Sequence, residues 1–360
     1  MPMYREFRDP AMVKRLLSRI EAVLEPPVTL MEVCGTHTVA VFRYGLRRLL
    51  PEGLELLSGP GCPVCVTPDF IIDAALEIAR QPGVVLATFG DMLRVPGSDQ
   101  SLEELKAGGA QVKVIYSPLE ALALAEEYPQ RQVVFFAVGF ETTVPMIAAT
   151  VLKAKEKGLT NFSLLCAHKT IPGALRSLLS SPDVNIDGLL CPGHVSAVIG
   201  TRPYEFIPRE FGIGAVVTGF EPVDLLQGIY LLLQQHREKA PRVENQYRRW
   251  VPAAGNPEAL KLIRAVFAPC GSHWRGLGYL EGTGLELKEE YQAFDALRRF
   301  QVFPTVKPAR KGCRCGDVLR GAMAPPDCPL FATTCSPERP VGPCMVSVEG
   351  TCRAYYTYGR

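Results

Sequence analysis

The 360-residue sequence has little net charge and lacks the motifs of several large protein classes. Its formal net charge is +2 and it contains no long block of Lys or Arg, so nothing indicates a nucleic-acid partner. No stretch of about eighteen uncharged apolar residues is present, which predicts no membrane-spanning segment. The patterns GxGxxG, the P-loop, GxSxG and HExxH are also absent. Their absence argues against nucleotide-binding, kinase, serine-hydrolase and zincin activities.

The first residues, MPMYREFRDP, alternate charged and aromatic side chains and lack the apolar core of a signal peptide. We therefore expect a cytoplasmic protein. In that reducing compartment the twelve cysteines of the chain are not expected to form a disulfide framework. Closely spaced cysteines then indicate metal binding or redox chemistry.

Short apolar runs alternate with helical segments through most of the chain. Unbroken apolar strands between helices are typical of parallel α/β sheets with both faces covered. Near the start, Asp9 and Pro10 precede an apolar pattern with helical spacing, which predicts a capped amphipathic helix. The candidate strands are 84–88, 112–116, 133–138, 162–166, 188–191 and 215–218.

A weak internal repeat indicates a duplication. Residues 34–38 (CGTHT) align with residues 166–170 (CAHKT) at an offset of 132, and a Pro-Gly pair recurs at the same offset. The repeat predicts two related α/β domains, 27–157 and 158–285, with a cleft between them. The second copy lacks the CxxC pair of the first, so we expect the thiol chemistry on the first copy.

A Pro-, Gly- and Cys-rich tail begins near residue 303 and cannot form a helix-rich core by itself. Such small segments usually fold around a metal or disulfides. We expect a third domain, 286–360, with the N-terminal helix within 1–26 packed on it. Six cysteines lie in this tail: Cys313, Cys315, Cys328, Cys335, Cys344 and Cys352.

The tail cysteines predict a [4Fe–4S] cluster, which needs four thiolates from a loop-rich segment. Two cysteines then remain, and they could form a dithiol/disulfide pair beside the cluster. Structural zinc bound by four cysteines is the alternative. The spacing does not show which four of the six bind.

Two compact motifs carry the other notable thiols. In Gly59–Cys65 (GPGCPVC), the CxxC pair Cys62 and Cys65 could cycle between dithiol and disulfide or bind a metal, and a purely structural pair is the alternative. Cys34 lies in CGTHT directly after an apolar strand, where His37 could act as a ligand, a proton shuttle or a positive neighbour of the thiol. Inert packing is the alternative for Cys34.

Other polar residues follow apolar strands, where α/β proteins place their sites. We expect them to line the cleft, although each could instead cap a helix. Three further cysteines have apolar or isolated surroundings and are expected to be core residues: Cys166, Cys191 and Cys270. The cleft candidates are Asp91, Glu141, Thr142, His168 and His194.

Taken together, these motifs resemble the hydrogenase maturation factor family HypD over nearly the whole chain. The resemblance rests on CGTHT, GPGCPVC, GFETT from Gly139, PGHVS from Pro192, WRGLG from Trp274 and the tail CRCGD…CPLF…GPCMVSVEGTC. It implies two related α/β domains and a third domain with a [4Fe–4S] cluster beside a redox-active cysteine pair, as in ferredoxin–thioredoxin reductase.

The resemblance also implies a function and partners. The protein would be a scaffold with redox activity, rather than a turnover enzyme, for assembly of the Fe(CN)2CO group of [NiFe]-hydrogenases. HypC would share the iron and HypE would deliver cyanide, in a transient complex with a monomer of this chain. The alternative function is a cluster-dependent thiol–disulfide oxidoreductase that acts on a protein substrate.

The resemblance also implies roles for the residues of the motifs. Cys34 would anchor the iron, and Cys62 with Cys65 would either contact it or supply electrons for cyanide release. His37 would be a proton source or would orient a ligand. Glu141 and Thr142 would help to close the cleft.

Overall fold

The structure, a computed structural model, describes residues 5–306 and 312–359. Short 3-10 or π turns occur at Arg5–Arg8, Arg202–Tyr204, Ile207–Phe211, Glu289–Phe294 and Pro325–Asp327. The strands are β1 (Val28–Glu32), β2 (Leu54–Ser58), β3 (Val84–Thr88), β4 (Val112–Val114), β5 (Gln132–Ala137), β6 (Phe162–Cys166), β7 (Gly188–Pro192), β8 (Gly214–Thr218), β9 (Val243–Asn245), β10 (Phe267–Trp274) and β11 (Gly278–Leu287).

The helices alternate with these strands through most of the chain. They are α1 (Pro10–Val23), α2 (Gly35–Arg43), α3 (Leu46–Leu49), α4 (Pro63–Val66), α5 (Asp69–Ala79), α6 (Gly90–Leu93), α7 (Leu102–Ala107), α8 (Pro118–Glu127), α9 (Val144–Glu156), α10 (Ile171–Leu179), α11 (Gly193–Ile199), α12 (Pro222–Glu238), α13 (Pro257–Val266), α14 (Ala296–Phe300), α15 (Cys315–Leu319), α16 (Pro343–Val346) and α17 (Thr351–Tyr358).

Nine strands form two sheets in which every pairing is parallel. The first sheet has the order β2-β1-β7-β8-β9 and the second has the order β4-β3-β5-β6. The two orders are related. In each sheet the strand that comes first in the chain (β1 or β3) is an inner strand, and the second (β2 or β4) is the edge strand beside it. The next two strands (β7 and β8, or β5 and β6) follow on its other side. The shared order confirms the predicted fold class of two related parallel-sheet α/β units with a cysteine-rich region.

The second sheet is inserted into the first. The chain forms β1 and β2, then the whole second sheet, and returns to the first sheet with β7 to β9. The predicted boundaries, 27–157 and 158–285, therefore do not follow the sheets, because each predicted unit contributes strands to both. The offset of 132 aligns β1 with β6, whereas the shared strand order relates β1 to β3 and β6 to β8.

The N-terminal helix begins as predicted but packs elsewhere. Asp9 accepts a hydrogen bond from the Ala11 amide at 2.8 Å and caps α1, with Pro10 as the first helical residue. The buried stripe of α1 includes Leu16 and Ile20 and packs on α12, above the first sheet. The expected packing of this helix on the cysteine-rich domain is therefore wrong, since α12 offers the matching apolar surface.

An antiparallel hairpin, β10 and β11, was not predicted. It pairs Phe267 with Leu287 at one end and Trp274 with Gly278 at the other, with an irregularity between Cys270 and Ser272. The sequence FAPCGSHW of β10 lacks the apolar/polar alternation that identifies a strand. The hairpin contacts α10 and places Trp274 in the main buried cluster.

The cysteine-rich region packs on elements that follow the first two strands. Helix α17 contacts α2, and α16 contacts α4. These contacts bring the tail cysteines to the edge of the first sheet where CGTHT and GPGCPVC lie. Across residues 5–306 and 312–359, no helix is both long and apolar enough to cross a bilayer.

Replacement of Leu190 by Ala tests the central packing of the first sheet. Leu190 lies on β7 with no exposed surface, so the truncation should leave a cavity that costs about 2–5 kcal/mol. Leu49→Ala is the matched control, because its side chain is 49% exposed and its loss should change stability little. Urea unfolding compares the two, and equal midpoints would contradict the packing described here.

Candidate functional site

The predicted motifs gather where parallel strands end. Residues at the carboxyl ends of neighbouring parallel strands lie at one edge of a sheet, which is where α/β folds bind ligands. In the first sheet, CGTHT follows β1, GPGCPVC follows β2 and GHVS follows β7. These three strands are neighbours, so the motifs share one edge.

Cys34 and the GPGCPVC segment are in direct contact. The Gly35 amide donates to the Gly61 carbonyl at 2.9 Å. A Cβ atom on Gly61 would lie 2.2 Å from the backbone nitrogen of Cys34, so only glycine allows this approach. The glycine of GPGC thus sets the distance between the two thiol motifs.

Glu32, buried at the end of β1, holds the backbone of the CGTHT motif. Its carboxylate accepts from the Cys34 amide at 3.0 Å and from the Thr38 hydroxyl. Burial raises the pKa of Glu32 to about 7, and hydrogen bonds from Thr38 and Ser58 oppose the shift. This carboxyl group was missed because it belongs to an otherwise apolar strand.

The Cys34 thiol is held in its protonated form. Burial raises its pKa to about 12, and the carboxylate of Glu349 acts in the same direction. The amides of His37 and Thr36, in the first turn of α2, partly offset this shift. A metal ion at Cys34 must therefore displace a proton.

His37 is a buried neutral imidazole. Its Nε2 lies 3.3 Å from the Thr218 carbonyl and 3.2 Å from the Thr218 hydroxyl. Its Nδ1 is buried without a hydrogen-bond partner. Burial lowers the pKa of His37 to about 4, so the ring is uncharged at neutral pH. The imidazole packs against Phe220.

The CxxC pair forms the first turn of α4. The Cys65 amide donates to the Cys62 sulfur at 3.2 Å, so Cys62 caps this helix. Both side chains are buried, Cys62 at 3% and Cys65 at 0% exposure. Burial raises the pKa of the Cys65 thiol well above its ordinary value.

The six tail cysteines surround one cavity. Val318, Leu330, Phe331 and Met345 complete an apolar lining. A Cβ atom on Gly342 would lie 2.7 Å from the Cys313 sulfur, so glycine leaves room for the thiol there. The structure thus brings together Cys313, Cys315, Cys328, Cys335, Cys344 and Cys352.

The two thiol groups meet at Cys344. Its sulfur lies 2.8 Å from that of Cys315, and it interacts electrostatically with Cys65. Cys62, Cys65, Cys315 and Cys344 belong to the same buried cluster. The CxxC pair and the tail cavity are therefore neighbours in the interior of the protein.

Arg275 places a positive charge beside this junction. Its guanidinium donates to the Thr67 carbonyl and to Asp69, each at 2.7 Å, and its amide donates to Val66 at 2.8 Å. It interacts electrostatically with Cys315 and Cys344. The WRGLG segment thus fixes the chain that follows the CxxC pair.

The remaining cleft candidates are spread over several places. Glu141 is buried and accepts from the Ile171 amide at 2.9 Å, whereas Thr142 is exposed. Asp91 accepts from Ser347 of the cysteine-rich region at 2.9 Å.

The two remaining histidines lie in different places. The His194 ring stacks on Phe220 with a centroid distance of 3.9 Å, and Phe220 is also the ring against which His37 packs. His168 lies in a different cavity, next to Cys166.

Two residues near Cys34 gave no signal in the sequence. Glu349 accepts from the Thr36 hydroxyl at 2.7 Å and packs directly on Gly35. Tyr204, fully buried, hydrogen-bonds with Ser196 and interacts electrostatically with Cys34. Both come from distant parts of the chain, so only the fold brings them to the site.

The chemistry of the tail thiols fits an iron–sulfur cluster. They are soft donors in a loop-rich segment, which is the ligand set of such clusters and also of structural zinc. Among the residues that the structure describes, no three potential ligands are arranged around a single ion.

Fold and site define a class: a parallel α/β protein whose CxxC and CGTHT motifs meet a thiol-lined domain. The HypD family profile, described as "Hydrogenase formation hypA family", matches residues 11–359. The chain belongs to the HypD family.

Several curated relatives match along their whole length. The hydrogenase maturation factor HypD of Escherichia coli K12 is 49% identical over 98% of this chain and 97% of its own. The Rhodobacter capsulatus protein of the same name is 47% identical over 100% and 98%, respectively. That of Azotobacter vinelandii is 48% identical over 99% and 96%.

Gly61→Ala tests the contact between the two thiol motifs. The added methyl group would collide with the Cys34 backbone, so we expect destabilisation of at least about 2 kcal/mol by urea unfolding. Gly90→Ala is the matched control, since its Cβ atom would lie an ordinary 3.6 Å from Val114. Equal stability of the two variants would show that the motifs do not touch in this way.

Proposed function

We propose that this HypD-family protein assembles the Fe(CN)2CO group of [NiFe]-hydrogenases, as a scaffold with redox activity. The iron is its substrate, and Cys34 is the thiolate that anchors it. The observation that supports the proposal most strongly is the burial of Cys65 and Cys344 in one cluster, where α16 packs on α4, because it joins the site beside Cys34 to the tail cavity.

The cavity would hold a [4Fe–4S] cluster, which supplies electrons one at a time when it is bound. Cys315 and Cys344 are buried in one cluster with Cys65 and their sulfurs lie 2.8 Å apart, which suits them as the spare dithiol pair. The four other thiols then serve as ligands: Cys313, Cys328, Cys335 and Cys352.

The dithiol of Cys62 and Cys65 supplies the two electrons for cyanide release. A thiocyanate RSCN reacts with two thiols to give RSH, HCN and one disulfide, so each thiol contributes one hydrogen and one electron. The cyanide donor would be HypE. Cys344 is placed to attack the resulting disulfide at Cys65, which transfers the oxidation to the pair Cys315–Cys344.

The groups around Cys34 enclose the iron and orient its ligands. Cyanide binds iron as an anion, so the proton of HCN must leave to water. Burial lowers the pKa of His37 to about 4, so this imidazole is a weak base, and its role here is to orient a ligand. Glu349 and Tyr204 enclose the same site, and HypC would provide a further ligand to the shared iron.

Anaerobic co-purification with HypC, followed by infrared spectroscopy, tests the proposal. Bound cyanide and carbon monoxide absorb where proteins do not, and we expect their bands in the wild-type complex. Cys34→Ala should abolish the bands and hydrogenase maturation, whereas Cys166→Ala should keep both. Equal loss in the two variants would contradict the assignment of the chemistry to the CGTHT motif.

The alternative function, a thiol–disulfide oxidoreductase acting on a protein, also uses the proximity of Cys65 and Cys344. The two functions differ in their need for Cys34. If Cys34→Ala retained full maturation while Cys62→Ala abolished it, the oxidoreductase would be correct. Zinc without iron or sulfide in the purified protein would exclude both functions.

Iron binding should depend on pH. The Cys34 thiol has a pKa near 12, so Fe(II) must displace its proton at any physiological pH. Affinity should therefore rise with pH, by up to about tenfold per unit for each proton released. Anaerobic competition titrations from pH 6.5 to 8.5 measure this slope, with Cys34→Ser as the control that should lower affinity. A flat profile would contradict binding at a protonated thiol.

A further inference from the structure

A second cavity, of about 270 Å³, lies beside Trp274 at the end of β6. The hairpin of β10 and β11 forms its other wall. The proposed assembly of the iron group uses none of the polar side chains that line it. They are Cys166, His168, Lys169, Cys270, Ser272 and His273.

Lys169 is the unusual member of this lining. It is 3% exposed, and its Nζ donates to the Ser272 hydroxyl at 2.7 Å and to the His273 carbonyl. Buried ammonium groups are normally paired with a carboxylate. Within the described lining of this cavity there is no Asp or Glu. Burial lowers the pKa of Lys169 to about 7.

The hydrogen bonds leave donors available at the cavity. The ammonium group has three hydrogens, of which Ser272 and His273 take two. The Ser272 oxygen accepts from Lys169, so its own hydrogen remains free to donate. These two donor atoms are 2.7 Å apart, a spacing that suits two oxygens of one anion.

His168 adds a polar group without a partner. It is 2% exposed and its Nε2 atom is buried without a hydrogen bond. Its Nδ1 lies 3.2 Å from the Cys166 sulfur. Buried polar atoms are rarely left unsatisfied in native proteins, so the atom is consistent with a ligand or water at this place.

We propose that this cavity binds a small oxyanion, of the carboxylate, bicarbonate or phosphate type, through Lys169 and Ser272. The anion supplies the negative charge that the ammonium group lacks. The site is separate from the iron chemistry and does not depend on it. Its wall includes Ser272 and His273, which lead directly to Arg275 beside the thiol junction, so a bound anion also fixes that segment.

Isothermal titration calorimetry of the full chain tests the proposal. The probes are sodium formate, bicarbonate and phosphate, each at constant ionic strength, with chloride as the comparison. At least one oxyanion should bind saturably with one site and more tightly than chloride. Lys169→Met should weaken that binding at least tenfold, and Ser272→Ala should weaken it several-fold.

Two controls locate the site. Lys261→Met removes an exposed lysine and should leave binding unchanged. The chain has two tryptophans, so Trp250→Phe leaves Trp274 as a single reporter, with its ring 5.4 Å from the Lys169 ammonium. Its fluorescence should respond to the same anion with the same midpoint.

Three results would overturn the proposal: no saturable binding of any oxyanion to the wild type, equal binding of chloride, or unchanged binding in Lys169→Met. Circular dichroism checks that the Lys169 variant is folded. If it is not, Ser272→Ala decides the question, because loss of a small hydroxyl leaves the packing intact. Unchanged affinity in a folded Ser272→Ala would then count against the site.

Discussion

The burial of Cys65 and Cys344 in one cluster is the constraint on which the arrangement of this protein depends. Cys65 lies in α4, which follows β2 of the first sheet, and Cys344 belongs to a loop-rich region with little core of its own. To bring the two residues together, α16 packs on α4, and α17 packs on α2. The cysteine-rich region is thereby attached at the sheet edge where Cys34 lies. Gly61 and Gly342 leave the space that this close packing of backbone and sulfur requires.

The site is built mainly from neutral groups in a dry interior. Burial keeps Cys34 and Cys65 protonated and His37 uncharged. Arg275 interacts electrostatically with Cys315 and Cys344, and Asp69 balances its charge. In such surroundings a metal ion and its ligands become the dominant charges.

Much of the architecture follows from local sequence patterns. Apolar strands between helices predicted parallel sheets, and the clusters of cysteine after β1 and β2 predicted where the thiols would lie. The domain boundaries could not be predicted in the same way, because an insertion leaves each strand unchanged and alters only which strands pair. The weak repeat of CGTHT in CAHKT was misleading for that reason. Its two copies follow strands with different places in their sheets.

Within the site, motif residues were identifiable and their neighbours were not. Cys34, Cys62 and Cys65 stand in short polar runs that a single sequence displays. Glu32 and Tyr204 are isolated polar residues in apolar surroundings, and nothing local separates them from ordinary strand or turn residues. Their proximity to Cys34 comes from pairing and packing over long sequence distances.

The insertion of one sheet into the other also favours one order of folding. The central strands β1 and β7 meet across about 158 residues of intervening chain. During synthesis β1 and β2 emerge first but lack their partner until the inserted sheet has been made. The inserted sheet has all its strands in one continuous stretch, so it can close earlier at a lower entropic cost. In nascent chains the inserted sheet, β3 to β6, should therefore become structured before β1 and β2 at the start of the chain.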